Sequence, residues 1–316
     1  MKKFTKKFFA IGLQTLIVCS ISTIFCNNQN TCQEQYLTRA EHEDYHRVSK
    51  SYDKTRIPVG TRIILNELSS LSVPVKQQVI LDGGCGSGNY LVALHDSVGF
   101  IHGVDINTSM LEKAKNKVKN ANNIIFKTGS ILALPYENNM FDGMIVNQVL
   151  HHLETVETVE KYSNLRVLVR EAYRVLKPGG LFILNVSSHE QWIDGFWFYA
   201  LIPQARDKFL KKHISLPGLQ NMLLDEKFMI KTMVTPVDEV LQSSSYFDPL
   251  GPLDKTFREG DSTWALATPE ELEHALAFVR EMQKNGTLEQ YFIDRERKRM
   301  LVGQTTFLVA QKPQVF

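Results

Sequence analysis

Cysteine is scarce in this chain. Of 316 residues only Cys19, Cys26, Cys32 and Cys85 are cysteine, and three of them fall within the first 32 positions. The body therefore has no disulfide framework and no thiolate cluster for a metal. A basic excess is lacking as well. The formal charge of +2 comes from Lys2, Lys3, Lys6 and Lys7; beyond residue 32 the remaining 32 basic residues face 34 acidic ones, a balance of −2. No global positive field recommends nucleic acid as a partner. The adjacent histidines His151 and His152 have no second ligand cluster at i, i+4 spacing, so no metal is expected. What remains, 43% hydrophobic and 22% charged, is the composition of an ordinary globular protein, long enough for one large α/β domain with an embellishment.

The first 35 residues read differently from the rest. A lysine-rich head over residues 1–7 precedes a largely apolar stretch over 8–25 and a polar one over 27–35. This is the outline of a signal peptide or an N-terminal membrane anchor. Gln14, Thr15, Ser20 and Ser22 weaken it as a spanning helix, and Phe25 stands where a small residue would precede a lipid-bearing Cys26. With the lysines inside, the body would face outward, in the secretory pathway or anchored to a membrane; a cytoplasmic or organellar location is the alternative.

The stretch ILDGGCGSGNYL, residues 80–91, organises the body. An apolar run ends in Asp82, then Gly83, Gly84, Gly86 and Gly88 follow before a new apolar pattern begins. That is a strand stopping at a tight turn that opens a helix. Glycines admit positive φ and carry no Cβ, so a flat adenosine-bearing ligand can lie against the backbone. The spacing is not that of a dinucleotide site: from Gly84 it runs G-x-G-x-G, and counting from Gly86 puts Leu91 where the last glycine of G-x-G-x-x-G belongs. Asp82 at the strand end would repel a pyrophosphate and suit a cation. The ligand that fits is adenosyl and carries an ammonium.

This turn is followed, in order, by GVDINTSMLEKA with Asp105, FKTGSILALPYENNMFDGMIVNQVLHHL, and EAYRVLKPGGLFILNV. The series resembles the class I S-adenosylmethionine (SAM) methyltransferases of the ubiquinone/menaquinone-biosynthesis type, over residues 45–190. The resemblance implies a doubly wound, Rossmann-like α/β sheet of seven strands with the last antiparallel, SAM as cofactor, and methyl transfer to a nucleophile on a small or medium-sized molecule. Residues 36–316 are read as one methyltransferase domain, in which the turn-rich, aromatic and charged stretch 238–299 is an insertion between the last two strands that serves as a substrate cap. An RNA methyltransferase is one alternative, against which the near-neutral body counts; a non-catalytic SAM-binding module is another. SAM is a cytosolic metabolite, which conflicts with an outward-facing body. Oligomeric state is not legible.

Residues 41–68 read as helical, broken at Pro58. In the related methyltransferases an aromatic and a basic residue of such a segment, here Tyr52 and Arg56, close over the methionine end of SAM; otherwise the segment is a lid packed on the domain edge. FIHGVDI is a second strand ending at Asp105, placed to accept hydrogen bonds from both ribose hydroxyls, with Ile106 beside it. A third strand over 123–127 leads to Gly129, Ser130 and Ile131, whose backbone can hold the adenine edge. Relatives commonly carry an acid near Ser130, so the hydroxyl makes that contact weaker or different, or serves only the turn. A fourth strand over 141–149 brings Asn147, Gln148, His151 and His152 to the reaction centre. Either histidine has a suitable pKa for a general base, or the pair stacks and packs the following helix.

A helix over 162–176 ends at the KPGG sequence, and a fifth strand follows over 181–186. Trp192, Phe196, Trp197, Phe198 and Tyr199 are too aromatic for a solvated loop; they build a substrate cap or pack on the sheet edge. Trp192 and Trp197, with Tyr246 and Trp264 in the insertion, are the candidate substrate contacts. A sixth strand is expected over 227–232 and a final antiparallel one over 304–311. Between them the insertion carries a helix over 269–284, with Thr268 as N-cap, Pro269 at N1 and Glu271 at N3.

Overall fold

The computed structural model describes residues 57–153, 162–259 and 261–314. The N-terminal 35 residues, Tyr52 and Arg56 lie outside the described residues. The strands are β1 (Val79–Gly83), β2 (Phe100–Asp105), β3 (Ile124–Thr128), β4 (Phe141–Asn147), β5 (Leu176–Val186), β6 (Met229–Val234) and β7 (Thr306–Gln311). They form one sheet in the order β3-β2-β1-β4-β5-β7-β6. Strands β1 to β5 run parallel, and β7 is antiparallel to both β5 and β6. This is the expected doubly wound sheet with its last strand reversed.

The helices are α1 (Thr61–Ser69), α2 (Asn89–Leu94), α3 (Thr108–Lys117), α4 (Ser163–Val175), α5 (His189–Asp194), α6 (Pro203–Leu210), α7 (Leu216–Asp225), α8 (Lys255–Glu259), α9 (Pro269–Asn285) and α10 (Leu288–Val302). Side chains alternate across a strand, so each strand serves two cores. Ile80, Ile145, Ile183 and Val309 join one core with Ile64 of α1, Leu91 of α2 and the aromatic run after Ser188. Leu81, Val146, Phe182 and Leu308 join the other with Leu168 of α4 and Leu223 of α7. Nearly continuous apolar strands are what a sheet covered on both faces requires.

Several boundaries differ from the sequence expectation, each for a local reason. Strand β4 stops at Asn147 because Gln148 takes φ 54°, and β6 begins only after Lys227 turns the chain at φ 69°. Strand β5 starts at Leu176, directly after α4, because Leu176 already pairs with Phe141; a register irregularity follows before Gly143 pairs with Leu181. The KPGG sequence is thus part of a strand as well as a helix stop. Helix α10 has no clear apolar stripe, since its DRERKR run reads as solvated, yet Arg299 is buried and donates to Glu296 and to the carbonyl of Val237.

The aromatic run packs inside the protein. Phe196, Trp197, Phe198 and Tyr199 are all buried. The indole of Trp197 donates to the carbonyl of Tyr246 at 2.8 Å, the Tyr199 hydroxyl to Asp261 at 2.6 Å, and the Tyr246 hydroxyl to Glu296 at 2.9 Å. The first two bonds tie the run to the segment between β6 and β7, and the third braces that segment internally. Thr268 caps α9 as expected, but the Glu271 carboxylate reaches the amides of Gln204 and Ala205 at the start of α6. A carboxylate there satisfies orphan donors and complements the helix dipole.

Lys312, beyond β7, closes the C-terminal end of α4. Its buried ammonium donates to the carbonyls of Tyr173 and Leu176, each at 2.7 Å, and to Asn139 Oδ1 at 2.8 Å. A cation satisfies those carbonyls and the negative end of the helix dipole together. Lys312→Met is expected to leave acceptors unpaired and lower stability by about 1 to 3 kcal/mol in chemical denaturation. Unchanged stability would contradict this anchoring role.

Candidate functional site

Strand order reverses between β1, which continues to β2 on one side, and β4 on the other, and at such a point the loops beyond the carboxyl ends part to leave a crevice. The turn after β1 is fastened to β2. The amides of Gly84 and Cys85 donate to the carbonyl of Val104 at 2.8 and 3.0 Å, and the amide of Gly86 donates to Asp105 Oδ2 at 2.8 Å. Gly84 and Gly88 have positive φ and no room, since a Cβ there would come within 2.8 Å of Val149 and Ala114. Gly86, at φ 50°, differs: the nearest atom to an added Cβ is Met110 Cε at 3.5 Å. Its open side is a backbone cradle rather than a packing contact.

Two carboxylates stand at neighbouring strand ends. Asp105 accepts from the amide of Asn107 through Oδ1 and from Gly86 through Oδ2, each at 2.8 Å. Burial raises its pKa, and amide bonds from Asn107, Gly86 and Ile106 pull it back. Each oxygen keeps a further lone pair for a ligand hydroxyl. Asp82 is buried with Oδ2 unpaired among the described residues; burial, and then the charge of Asp105, push its pKa up to about 8. On β4, which pairs beside β1 with Ile145 opposite Asp82, the side-chain N and O of Asn147 are also unpaired among the described residues. Buried polar atoms left unpaired cost about 1 to 3 kcal/mol each, so their concentration here marks a place fitted to a polar, cationic ligand.

The loop after β3 is held from behind. Gly129 donates its amide to the Asp105 carbonyl at 3.1 Å, and Ile131 is buried beneath Gly83. Glu171 accepts from the amide of Leu134, while Arg174 donates to the carbonyls of Leu134 and Tyr136. The Ser130 hydroxyl accepts from the amide of Leu132 at 3.1 Å, and its carbonyl accepts from Ala133. Ser130 therefore makes a turn within its own loop.

Beyond β4 the left-handed Gln148 turns the chain, its side chain donating to Asn185 and Thr305 at 3.0 Å each. One 3-10 turn, Leu150–His152, follows. A narrow cleft opens there, with Leu150, Leu165, Val186, Leu216 and Leu219 as apolar walls and Gln148, His151, Tyr162, Ser187, Trp192 and His213 among its polar lining. His152 does not line it; its ring packs against His151, tilted by 48° with centroids 3.9 Å apart. His151 also lies nearly parallel to His213, at 5.8 Å. Among the substrate candidates only Trp192 lines the cleft. Trp197, Tyr246 and Trp264 are buried in the core. His213 escaped sequence reasoning because nothing local marks it; its partners come from α5, α6 and the turn after β4.

The seven-stranded sheet with its last strand antiparallel is a Rossmann-like methyltransferase fold, and its switch-point crevice holds a glycine turn bonded to an acid on the next strand, with polar atoms beside it that are unpaired among the described residues. Residues 81–184, a third of the chain, match the family described as methyltransferase domain. The chain is 30% identical over 177 residues to a demethylmenaquinone methyltransferase of Lactococcus lactis, covering 50% of this chain and 64% of that protein. It is 34% identical over 153 residues to the protein of that name from Staphylococcus haemolyticus, covering 46% and 60%. A crystal structure described as a methyltransferase from an antibiotic biosynthesis pathway of Anabaena variabilis superposes with TM-score 0.63 at 22% identity, over 81% of this chain and 98% of that one. The chain thus carries a methyltransferase domain match over residues 81–184 and is similar over about half its length to the demethylmenaquinone methyltransferases. It spans less than two thirds of the length of these curated relatives.

The raised pKa of Asp82 has a definite sign. Its folded value is about 8 against 3.8 for an ordinary aspartate, so the stability it contributes is full below 3.8 and is lost as pH rises to about 8. Relative to Asp82→Asn, the wild type is expected to lose stability progressively across that window, with a constant gap above it. Denaturant unfolding at about pH 5, 7 and 9 checks this, and a gap that does not change with pH would contradict it.

Proposed function

We propose that the chain binds SAM at the carboxyl ends of β1, β2 and β4 and transfers its methyl group to a small molecule held in the adjoining cleft. The observation that carries this reading is that Asp82 Oδ2 and the Asn147 side-chain amide, beside the Asp105-bound glycine turn, are unpaired among the described residues. In this reading the backbone at Gly86 lies against the adenosine, Asp105 takes the ribose hydroxyls, the amides around Gly129 and Ile131 face the adenine edge, and Asp82 with Asn147 receives the ammonium. Bound SAM supplies a methyl group already activated by a sulfonium.

The chain then has to align the acceptor with the carbon–sulfur bond and keep water out, a contribution worth up to about 7 to 11 kcal/mol in the best intramolecular cases. With SAM bound, transfer would form the bond to the acceptor as the sulfur–carbon bond broke, the departing thioether remaining in the crevice held by Asp105, Asp82 and Asn147. Where the acceptor is a hydroxyl or a carbon acid, a proton must also leave, and His151 is the cleft-lining base candidate. The name of the curated relatives makes demethylmenaquinone, in its reduced form, the first acceptor to test. The apolar stretch over residues 8–25 supports attachment of the domain to a membrane.

Asp105→Ala is expected to weaken SAM binding by about 1.5 to 3 kcal/mol in calorimetry, the range for hydrogen bonds to a charged group. His151→Ala is expected to keep SAM affinity and lose about 10²- to 10⁴-fold in turnover, with an acid limb of the pH profile that disappears. His152→Ala should keep that limb. If both histidine variants retain wild-type rates and the limb, transfer relies on alignment alone. Unchanged SAM affinity in Asp105→Ala would remove the ribose assignment.

A further inference from the structure

Helix α10 packs on the protein by one side and carries apolar side chains on the other as well. Its inner side buries Leu288, Phe292 and Arg299. On the outer side Ile293, Arg297, Met300 and Leu301 follow at i, i+4, i+7 and i+8, which places them on one face, with Asp294 and Lys298 beside them. Leu301 is 83% exposed, more than any other large apolar side chain among the described residues, and Met300 and Ile293 are 49% and 36% exposed. Apolar residues scattered singly over a surface are ordinary, but these share a helix face.

The face continues onto α5. Arg295 donates to the carbonyl of Ile193 at 2.6 Å and pairs with Asp194 at 3.4 Å, and Lys298 reaches the same carboxylate at 3.7 Å. Ile193, itself 40% exposed, thus lies beside α10. Its neighbour Trp192 lines the cleft, so α5 stands between the cleft and this outer surface. The charges are mixed and lean positive: Arg295, Arg297 and Lys298 against Asp194 and Asp294, with Asp294 bonded to Arg297 at 2.9 Å. No helix among the described residues is long and apolar enough to cross a membrane.

We propose that this face rests on an anionic phospholipid bilayer, with Ile193, Ile293, Met300 and Leu301 entering the boundary between headgroups and acyl chains and Arg297 and Lys298 reaching the phosphates. Long basic side chains suit that depth, because their stems lie along apolar surface while their charges stay among the headgroups. A second copy of the chain fits the face less well. A two-fold axis that sets Ile293 of one copy against Leu301 of the other passes through Arg297, midway between them, and brings two guanidinium groups together. A bilayer imposes no such clash. This surface is distinct from the anchor outlined by residues 8–25, and it depends neither on SAM nor on the identity of the methyl acceptor.

Because the N-terminal stretch can tether the chain by itself, the test reads the face directly. The full chain carrying Leu301→Trp is mixed with vesicles of phosphatidylglycerol and phosphatidylcholine whose acyl chains are brominated, a quencher that acts only on contact. Trp192, Trp197 and Trp264 are all buried, so wild-type fluorescence is expected to persist. The Leu301→Trp indole is expected to be quenched, and that of Lys119→Trp, exposed just before β3 at the amino ends of the strands, is not. Adding Arg297→Gln and Lys298→Gln to Leu301→Trp should raise the lipid concentration for half-quenching by at least about fivefold, the worth of one cation near an anionic surface. If Leu301→Trp does not fold, Met300→Trp carries the same comparison. An indole on this face that stays bright, or quenching shared equally by Lys119→Trp, would overturn the proposal. So would an unquenched face in a wild type that sediments as a dimer and becomes a monomer in Leu301→Asp, which would assign the face to a second copy. Calorimetry keeps the readings apart: a wild type that fails to bind SAM sinks the methyltransferase reading, and an unquenched face with normal SAM binding sinks this inference alone.

Discussion

The hydrogen bond from the Gly86 amide to the Asp105 carboxylate, with the Gly84 and Cys85 amides on Val104, joins the turn after β1 to the end of β2. Everything proposed for the cofactor depends on that junction. It bends the backbone into a cradle that only a residue tolerant of positive φ can form, and it brings together two buried carboxylates, so that burial first and the charge of Asp105 second raise the pKa of Asp82. A crowded pair of acids is costly when empty of cations and favourable around an ammonium. The same constraint that shapes the turn therefore sets the sign of charge the site will accept.

The second half of the site hangs on β4. Gln148 leaves the strand in a left-handed conformation and is held by Asn185 of β5 and by Thr305, next to β7. A non-glycine residue in that region is a local strain that surrounding bonds must over-determine. Here the antiparallel strand contributes directly: by fixing Thr305 beside β5, it steadies the turn that presents His151 to the cleft. Sheet topology and the proposed reaction centre are thereby linked through a single side-chain amide.

The parts of this arrangement written locally in the chain were legible in it. Strand-terminal acids, a glycine cluster and a Thr-Pro helix start each act within a few residues, so Asp82, Asp105 and the start of α9 stand where the sequence puts them. Aromatic residues gave an ambiguous signal, because burial in a core and coverage of a ligand demand the same side chains; Trp197 and Tyr246 pack inside while Trp192 reaches the cleft. Helix α10 was hidden by its charges, since a buried Arg299 paired with Glu296 looks in sequence like a solvated face. His213 was hidden for another reason: its environment is assembled from segments far apart in the chain, and no spacing rule reports that.

A crystal structure of the chain with S-adenosylhomocysteine would test the central claim most directly. The account predicts the ribose hydroxyls on Asp105, the adenosine against Gly86, and the amino group within hydrogen-bond reach of Asp82 and Asn147. A ligand bound away from these strand ends, or one whose amino group turns from Asp82 into solvent, would contradict it.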